Sequence, residues 1–89
     1  IVNLLKELDK GAAIQGHTDN LPINTLLFPT NWELSTKRAT NVVLFLIAES
    51  GVDPTKLTAT GNGEFRPIAP NDTEANRQKN RRIDIVIEK

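Results

Sequence analysis

The spacing of apolar residues along the chain predicts alternating helices and strands. Apolar residues within 1–8 recur at the i, i+3, i+4, i+7 spacing of an amphipathic helix, and Gly11 is a suitable stop. Residues 12–17 then have the character of a short strand. Residues 18–30 are rich in turn-forming Pro, Asn and Asp but carry interleaved apolar side chains, which predicts a structured loop.

A long helix is predicted over about residues 31–49. Thr30 and Glu33 match the capping box, in which a hydroxyl and a carboxylate satisfy each other's exposed backbone donors at a helix start. Gly51 and Pro54 are typical of the residues that end a helix. The stripe predicted to face the core, at about 100 degrees per residue, consists of Trp32, Ser35, Ala39, Val42, Val43 and Leu46.

Two further strands and a short helix complete the pattern. Residues 56–60 alternate weakly as a strand, and polar residues 71–80 predict one short helix capped by Asp72 or Thr73. The alternating isoleucines of 83–87 give the clearest strand signal. The expected fold class is α/β (an α+β sandwich), with helices packed on one small mixed sheet. The first two strands should be parallel, with a right-handed crossover.

Composition limits the chain to one domain, predicted to span residues 1–89. Eleven Lys and Arg balance eleven Asp and Glu, so the positive excess of a charge-driven nucleic-acid binder is missing. The sequence has no Cys, which excludes disulfides, thiolate nucleophiles and Cys-ligated zinc. The longest apolar run, residues 42–48, is far shorter than the roughly 20 residues that span a bilayer.

Several catalytic and cofactor motifs are incomplete. The glycines of 61–63 begin a dinucleotide fingerprint, but Arg66 stands where its third glycine belongs. A single His cannot build a His-rich metal site, and His17 is interpreted as a strand-end residue satisfied by local hydrogen bonds. Ser35, His17 and Asp19 lack a nucleophile elbow. We therefore predict no enzyme activity, no cofactor and no metal.

The chain has one basic cluster, made of Arg77, Lys79, Arg81 and Arg82. The simpler interpretation is a solvated face beside the last strand. The more specific interpretation is that the cluster recognises an anionic ligand or nucleic acid. The zero net charge of the chain argues against it.

Asp19 and Arg38 form the candidate binding pair. Asp19 follows the first strand by two residues, and Arg38 lies about two turns, roughly 10 Å, into the long helix. A carboxylate and a guanidinium facing one cleft would suit a zwitterionic ligand, with Asp19 taking an ammonium and Arg38 a carboxylate. From spacing alone, the simpler interpretation is that Asp19 caps its own turn and that Arg38 is an ordinary exposed residue or pairs with Asp19.

Four segments resemble the OmpA-like peptidoglycan-binding domain, in the family's order and spacing. They are Gly-His-Thr-Asp-Asn at 16–20, Asn-x-x-Leu-Ser-x-x-Arg-Ala at 31–39, Gly-x-Gly-Glu-x-x-Pro at 61–67 and Asn-Arg-Arg-Ile-Asp-Ile at 80–85. Within that family, segments 20–23, 28–35 and 67–73 resemble the flagellar motor stator branch, the MotB-like proteins, more than the lipoprotein or porin branches.

The resemblance implies a non-catalytic cell-wall anchor. In the family, residues matching Asp19 and Arg38 hold the diaminopimelate of the peptidoglycan stem peptide. The other residues that the resemblance places in this pocket are Thr18, Asn20, Asn31, Leu34, Ser35 and one arginine of the 80–82 motif, taken as Arg82 in preference to Arg81.

The resemblance also implies partners and a location. We expect a homodimer on the periplasmic, wall-facing side of the inner membrane, joined to a stator ion-channel subunit through a membrane helix not present in this chain. The family fold has a further strand before this sequence, so we expect an N-terminally truncated domain lacking its first strand. The alternatives are a lipoprotein or porin-type wall tether and a protein-interaction module that does not bind glycan.

Overall fold

The computed structural model describes residues 11–88. The helix predicted within residues 1–8 lies outside this range. The elements are β1 (Ala12–His17), α1 (Asn31–Ser50), a 3-10 turn (Pro54–Lys56), β2 (Leu57–Gly61), α2 (Glu74–Asn80) and β3 (Arg82–Ile87).

The three strands form one mixed sheet in the order β2-β1-β3. The central strand β1 pairs in parallel with β2 and antiparallel with β3, so Ile14 lies between Ala59 and Ile85. Since side chains alternate across a strand, the faces are set by this register. The predicted fold class and the parallel pairing of the first two strands are confirmed.

Helix α1 begins and ends at the predicted signals. The Thr30 hydroxyl accepts a hydrogen bond from the Trp32 N–H, and the Thr30 N–H donates to the Glu33 carboxylate, both at 3.2 Å. Gly51 closes the helix in the left-handed conformation, with φ of 67°, and its N–H donates to the Leu46 carbonyl. A residue without Cβ adopts that conformation at little cost.

The core between α1 and the sheet is small. Within residues 11–88, its buried apolar residues are Ala12, Ile14, Ala39, Leu46 and Val52. The prediction that Trp32 faces this core is wrong, because its side chain is half exposed. Close contact between Ser35 and the sheet leaves no room for an indole there. Trp32 instead stacks on Phe65, with ring centroids 5.2 Å apart.

Two glycines allow α1 to lie directly on the strands. A Cβ on Gly16 would overlap the carbonyl of Ser35, only 2.9 Å from its carbon. A Cβ on Gly61 would lie 2.7 Å from the Thr36 nitrogen. The first glycine of the incomplete dinucleotide motif is thus explained by helix packing.

Within residues 11–88, no helix combines the length and apolar character needed to cross a bilayer.

Candidate ligand-binding site

Asp19 lies just beyond the end of β1 and is nearly buried, with 7% of its surface exposed. Its Oδ1 accepts a hydrogen bond from the Leu21 N–H at 3.1 Å, so the side chain caps its own turn. Its Oδ2 accepts one from Arg81 Nη1 at 2.6 Å. The carboxylate is therefore held in one orientation by the loop and by Arg81, the residue that immediately precedes β3.

Arg81 connects this loop to α2. Its second terminal nitrogen, Nη2, donates to Oε1 of Glu74 at 2.5 Å. Bonding to Glu74 and to Asp19 raises the pKa of Arg81, and the Arg81 hydrogen bond holds the pKa of Glu74 below its usual value. The guanidinium thus stays charged between two carboxylates, with its remaining N–H donors unassigned.

Asn31, the first residue of α1, fastens the same loop. Its side-chain amide donates to the Leu21 carbonyl at 3.1 Å and to the Asp19 carbonyl at 3.3 Å. It also lies 3.5 Å from Oε1 of Glu64. Asn31 is itself buried, so these hydrogen bonds join the start of α1 directly to the Asp19 loop.

Thr18 and Ser35 bond to backbone rather than facing solvent. The Thr18 hydroxyl donates to the Asp19 carbonyl, and the Thr18 N–H donates to the Gly63 carbonyl, both at 2.9 Å. The Gly63 N–H in turn donates to the Ser35 hydroxyl at 2.9 Å. Thr18 and Ser35 are buried, so these two residues position the site. Asn20 and Arg38 are exposed, and Leu34 is half-buried.

Arg38 lies on the flank of α1 that carries Asn31. Seven residues separate them, which is nearly two full turns and about 10 Å along the axis. Arg38 is exposed, and its guanidinium has no ion pair with any residue of 11–88. Asp19 therefore caps its own turn, as the simpler interpretation held. Its ion-pair partner is Arg81 and not Arg38.

The structure does not bring Arg82 to this site. Its Nε lies 3.1 Å from both carboxylate oxygens of Asp84, and its Nη2 donates to the Arg66 carbonyl at 3.0 Å. Successive side chains along a strand point to opposite faces of the sheet, which explains the difference. Arg81 is on the same side as the core-facing Ile83, whereas Arg82 is on the same side as Asp84. The isoleucine pattern of β3 already carried this signal, which should have favoured Arg81 over Arg82.

The basic cluster is largely neutralised by neighbouring carboxylates. Arg77 lies 3.3 Å from Glu74, while Arg81 and Arg82 are paired as described above. Lys79 is exposed. These pairings support the interpretation of a solvated face and leave little charge for nucleic-acid phosphates.

Two concavities lie elsewhere on the surface, and neither is lined by Asp19 or Arg38. The larger, about 520 Å³, follows the other flank of α1 beside Trp32 and Lys37 and is mostly apolar. The smaller, about 360 Å³, is polar and includes Arg82.

The mixed sheet with its Gly-His-Thr-Asp loop and capped helix defines an OmpA-like domain. The chain belongs to the OmpA family, whose sequence profile matches residues 1–81. The predicted membership of this family is confirmed.

Within that family, the chain is similar to motility proteins of the MotB type. It is 45% identical over 74 residues to Motility protein B of Bacillus subtilis, covering 83% of this chain but 28% of that protein. The C-terminal domain of Helicobacter pylori MotB has a TM-score of 0.86 and 36% identity, covering 99% of this chain and 67% of the solved one. The predicted similarity to MotB is confirmed.

A structure described as the cell wall anchor of the T6SS from Pseudomonas aeruginosa is also similar. Its TM-score is 0.85 at 37% identity, with 97% of this chain and 59% of that chain covered. The chain spans about a third of the length of the motility proteins it matches, 28% and 34% of two of them. These relatives are named as motility proteins and as a cell wall anchor, which agrees with the prediction that the chain is not an enzyme.

Proposed function

We propose that this domain binds peptidoglycan without cleaving it and anchors a flagellar motor stator to the wall, on the periplasmic side of the inner membrane. The observation that carries the proposal is an oriented carboxylate, Asp19, beside a helix flank that presents the exposed guanidinium of Arg38, which is unpaired within residues 11–88. Similarity to MotB domains and to a cell wall anchor supports it.

The proposed ligand group is the diaminopimelate side chain of the stem peptide, which ends in an ammonium and a carboxylate. Asp19 accepts hydrogen bonds from the ammonium, since two bonds do not exhaust the lone pairs of its carboxylate oxygens. Arg38 holds the ligand carboxylate with two parallel N–H···O bonds. We place Arg81, rather than Arg82, in this site because it touches Asp19.

The other residues of the proposed site fall into two groups: those that touch the ligand and those that hold the backbone around it. Asn20, exposed at the loop, and Leu34, half-buried on α1, are proposed to touch the ligand. Thr18, Asn31 and Ser35 are proposed to act through the backbone that they fix. This support keeps the acidic loop at a fixed distance from the helix, which lowers the entropy cost of binding.

The deciding experiment compares two stem peptides that differ only in having diaminopimelate or lysine at the third position. Lysine supplies the ammonium but not the second carboxylate. We expect calorimetry to show a preference for diaminopimelate of about ten- to hundredfold, the range of one charge-assisted contact. The Arg38→Gln variant should lose that preference.

Lys37→Gln is the matched control, because Lys37 is the exposed neighbour of Arg38 and lines the other flank of α1. It removes the same charge away from the proposed site. Sacculus pull-down with both variants extends the test to intact wall. If Arg38→Gln retains the preference for diaminopimelate, the assignment of Arg38 is wrong; if neither peptide nor sacculi bind, the proposed function is wrong.

A protein-interaction role is the second candidate, favoured by large apolar side chains on the surface. Those at least half exposed are Leu21, Leu26, Leu27, Trp32, Leu44, Phe45, Phe65 and Ile68. We propose that the domain forms a homodimer and works beside a stator ion-channel subunit. A concentration series in analytical ultracentrifugation checks dimerisation, and dimers without wall binding would favour the interaction role alone.

A further inference from the structure

The sheet face turned away from α1 carries polar side chains near the carboxyl end of β1. Gln15 and His17 alternate with the β1 residues that pack under α1, so they project to this far face. The register places Gln15 between Thr60 and Asp84, and His17 opposite Arg82. Polar residues of all three strands thus meet on one surface.

These residues surround the smaller concavity, which we term the far-face pocket. Its volume is about 360 Å³, near the lower end of the range for small-molecule sites. The lining residues are Gln15, His17, Asn62, Arg66, Arg82 and Asp84. The size fits one sugar unit or a molecule of similar size.

Buried polar atoms at this pocket have no hydrogen-bond partner within residues 11–88. His17 is 3% exposed, its Nδ1 is unpartnered, and its Nε2 lies 3.2 Å from Asp84 Oδ2 in poor hydrogen-bond geometry. Asn62 Nδ2 and Thr60 Oγ1 are likewise buried without a partner. The predicted position of His17 at a strand end is confirmed, but its Nδ1 lacks the predicted local hydrogen bond within residues 11–88. Such atoms are uncommon in folded proteins, because an ordered water or a bound molecule normally supplies the partner.

The pocket carries one net positive charge. Arg82 is offset by Asp84, whereas the exposed Arg66 side chain has no ion pair in the part of the chain that the structure describes. Burial, followed by the nearby Arg82, lowers the pKa of His17, so the ring is neutral at pH 7. One positive charge matches a monoanion, while a doubly charged phosphate monoester would be under-compensated.

We propose that the far-face pocket binds a singly charged oxyanion, a carboxylate or phosphodiester, carried on a small polar molecule such as a sugar. Arg66 pairs with the oxyanion and Asn62 donates its side-chain N–H to it. His17 satisfies its free ring nitrogen on the body of the ligand. This second site does not depend on wall binding at Asp19.

The test is an NMR titration with three probes. Methyl glucuronide carries a carboxylate, methyl glucoside is its uncharged counterpart, and glycerophosphoglycerol carries a phosphodiester. We expect saturable shifts of the Gln15, His17 and Asn62 amides with at least one charged probe and none with the glucoside. The pKa of His17, measured on its ring, should rise on binding because an adjacent anion favours the imidazolium.

Arg66→Gln should weaken binding about tenfold or more, as expected for a lost charge-assisted contact. Lys79→Gln is the matched control, since it removes one charge from an exposed site outside the pocket. The charged probe that binds identifies the source of the oxyanion. Three results would each overturn the proposal: no binding by either charged probe, equal shifts with the glucoside, or equal affinity of the Arg66 and Lys79 variants.

Discussion

Replacing Gly16 by alanine tests whether close packing of α1 on β1 holds the site together. The new Cβ would overlap the backbone carbonyl of Ser35, and a backbone group cannot swing away as a side chain can. Helix α1 would have to move outward, on the order of 1 Å, loosening the core around Ile14 and Ala39. It would also stretch the hydrogen bond from Gly63 N–H to Ser35, now 2.9 Å long.

The expected net loss in unfolding free energy is about 1–3.5 kcal/mol. Overpacking a core costs about 1–3 kcal/mol, and a buried hydrogen bond contributes about 1 kcal/mol. The opposing gain from a stiffer unfolded chain is smaller, about 0.4–1 kcal/mol. This loss is a large part of the total stability of a domain, about 5–15 kcal/mol, and the melting temperature should fall by roughly 5–25 °C.

Urea denaturation followed by circular dichroism measures this loss. Gly51→Ala is the reference variant, because Gly51 needs its left-handed φ of 67° but lies outside the helix–sheet contact. It should cost about 1–2 kcal/mol. A Gly16→Ala protein within about 0.5 kcal/mol of wild type would refute the steric argument, since that is the range of inconsequential substitutions.

Three further predictions concern local stability. Thr30→Ala removes the N-cap of α1 and should lower the unfolding free energy by about 1 kcal/mol in the same assay. Asn80→Ala removes four hydrogen bonds to the buried side chain that fastens residues 68–71, and should cost about 2–4 kcal/mol, against no change for the exposed Asn41→Ala. The lowered pKa of His17 means that the unfolded chain binds the proton more readily, so stability should fall as pH drops below about 6.5, by at most about 1.4 kcal/mol per pH unit. Comparing denaturation of wild type and His17→Gln between pH 7.5 and 5.5 checks this, and equal slopes would contradict it.

The elements that follow from the sequence are those with short-range signals. The strand at residues 12–17 is bounded by glycine and a turn-rich loop, and Thr30 with Glu33 marks the start of α1 within four residues. The short helix α2 begins after Thr73, one of the two predicted caps. In each case the stabilising contact lies within the segment itself, so the local pattern is sufficient.

Contacts between distant segments could not be predicted in the same way. Asp19 and Arg81 are 62 positions apart, and only the folded sheet shows that Arg81 is the one that reaches the carboxylate. The position of Trp32 depends on the space left by Gly63, where a Cβ would already lie 3.4 Å from the indole. The far-face pocket was missed because its lining residues come from two strands and a loop.

The contacts of Asp19 determine which substitution can test ligand binding. Its carboxylate caps the Leu21 turn and neutralises Arg81, so removing it would leave a half-buried guanidinium with only Glu74 as partner. Loss of wall binding in an Asp19 variant could therefore follow from a disordered loop as well as from a lost ligand contact. Arg38 makes no comparable hydrogen bond or ion pair in the described part of the chain. A defect in Arg38→Gln, measured against Lys37→Gln, consequently reports on the ligand contact itself.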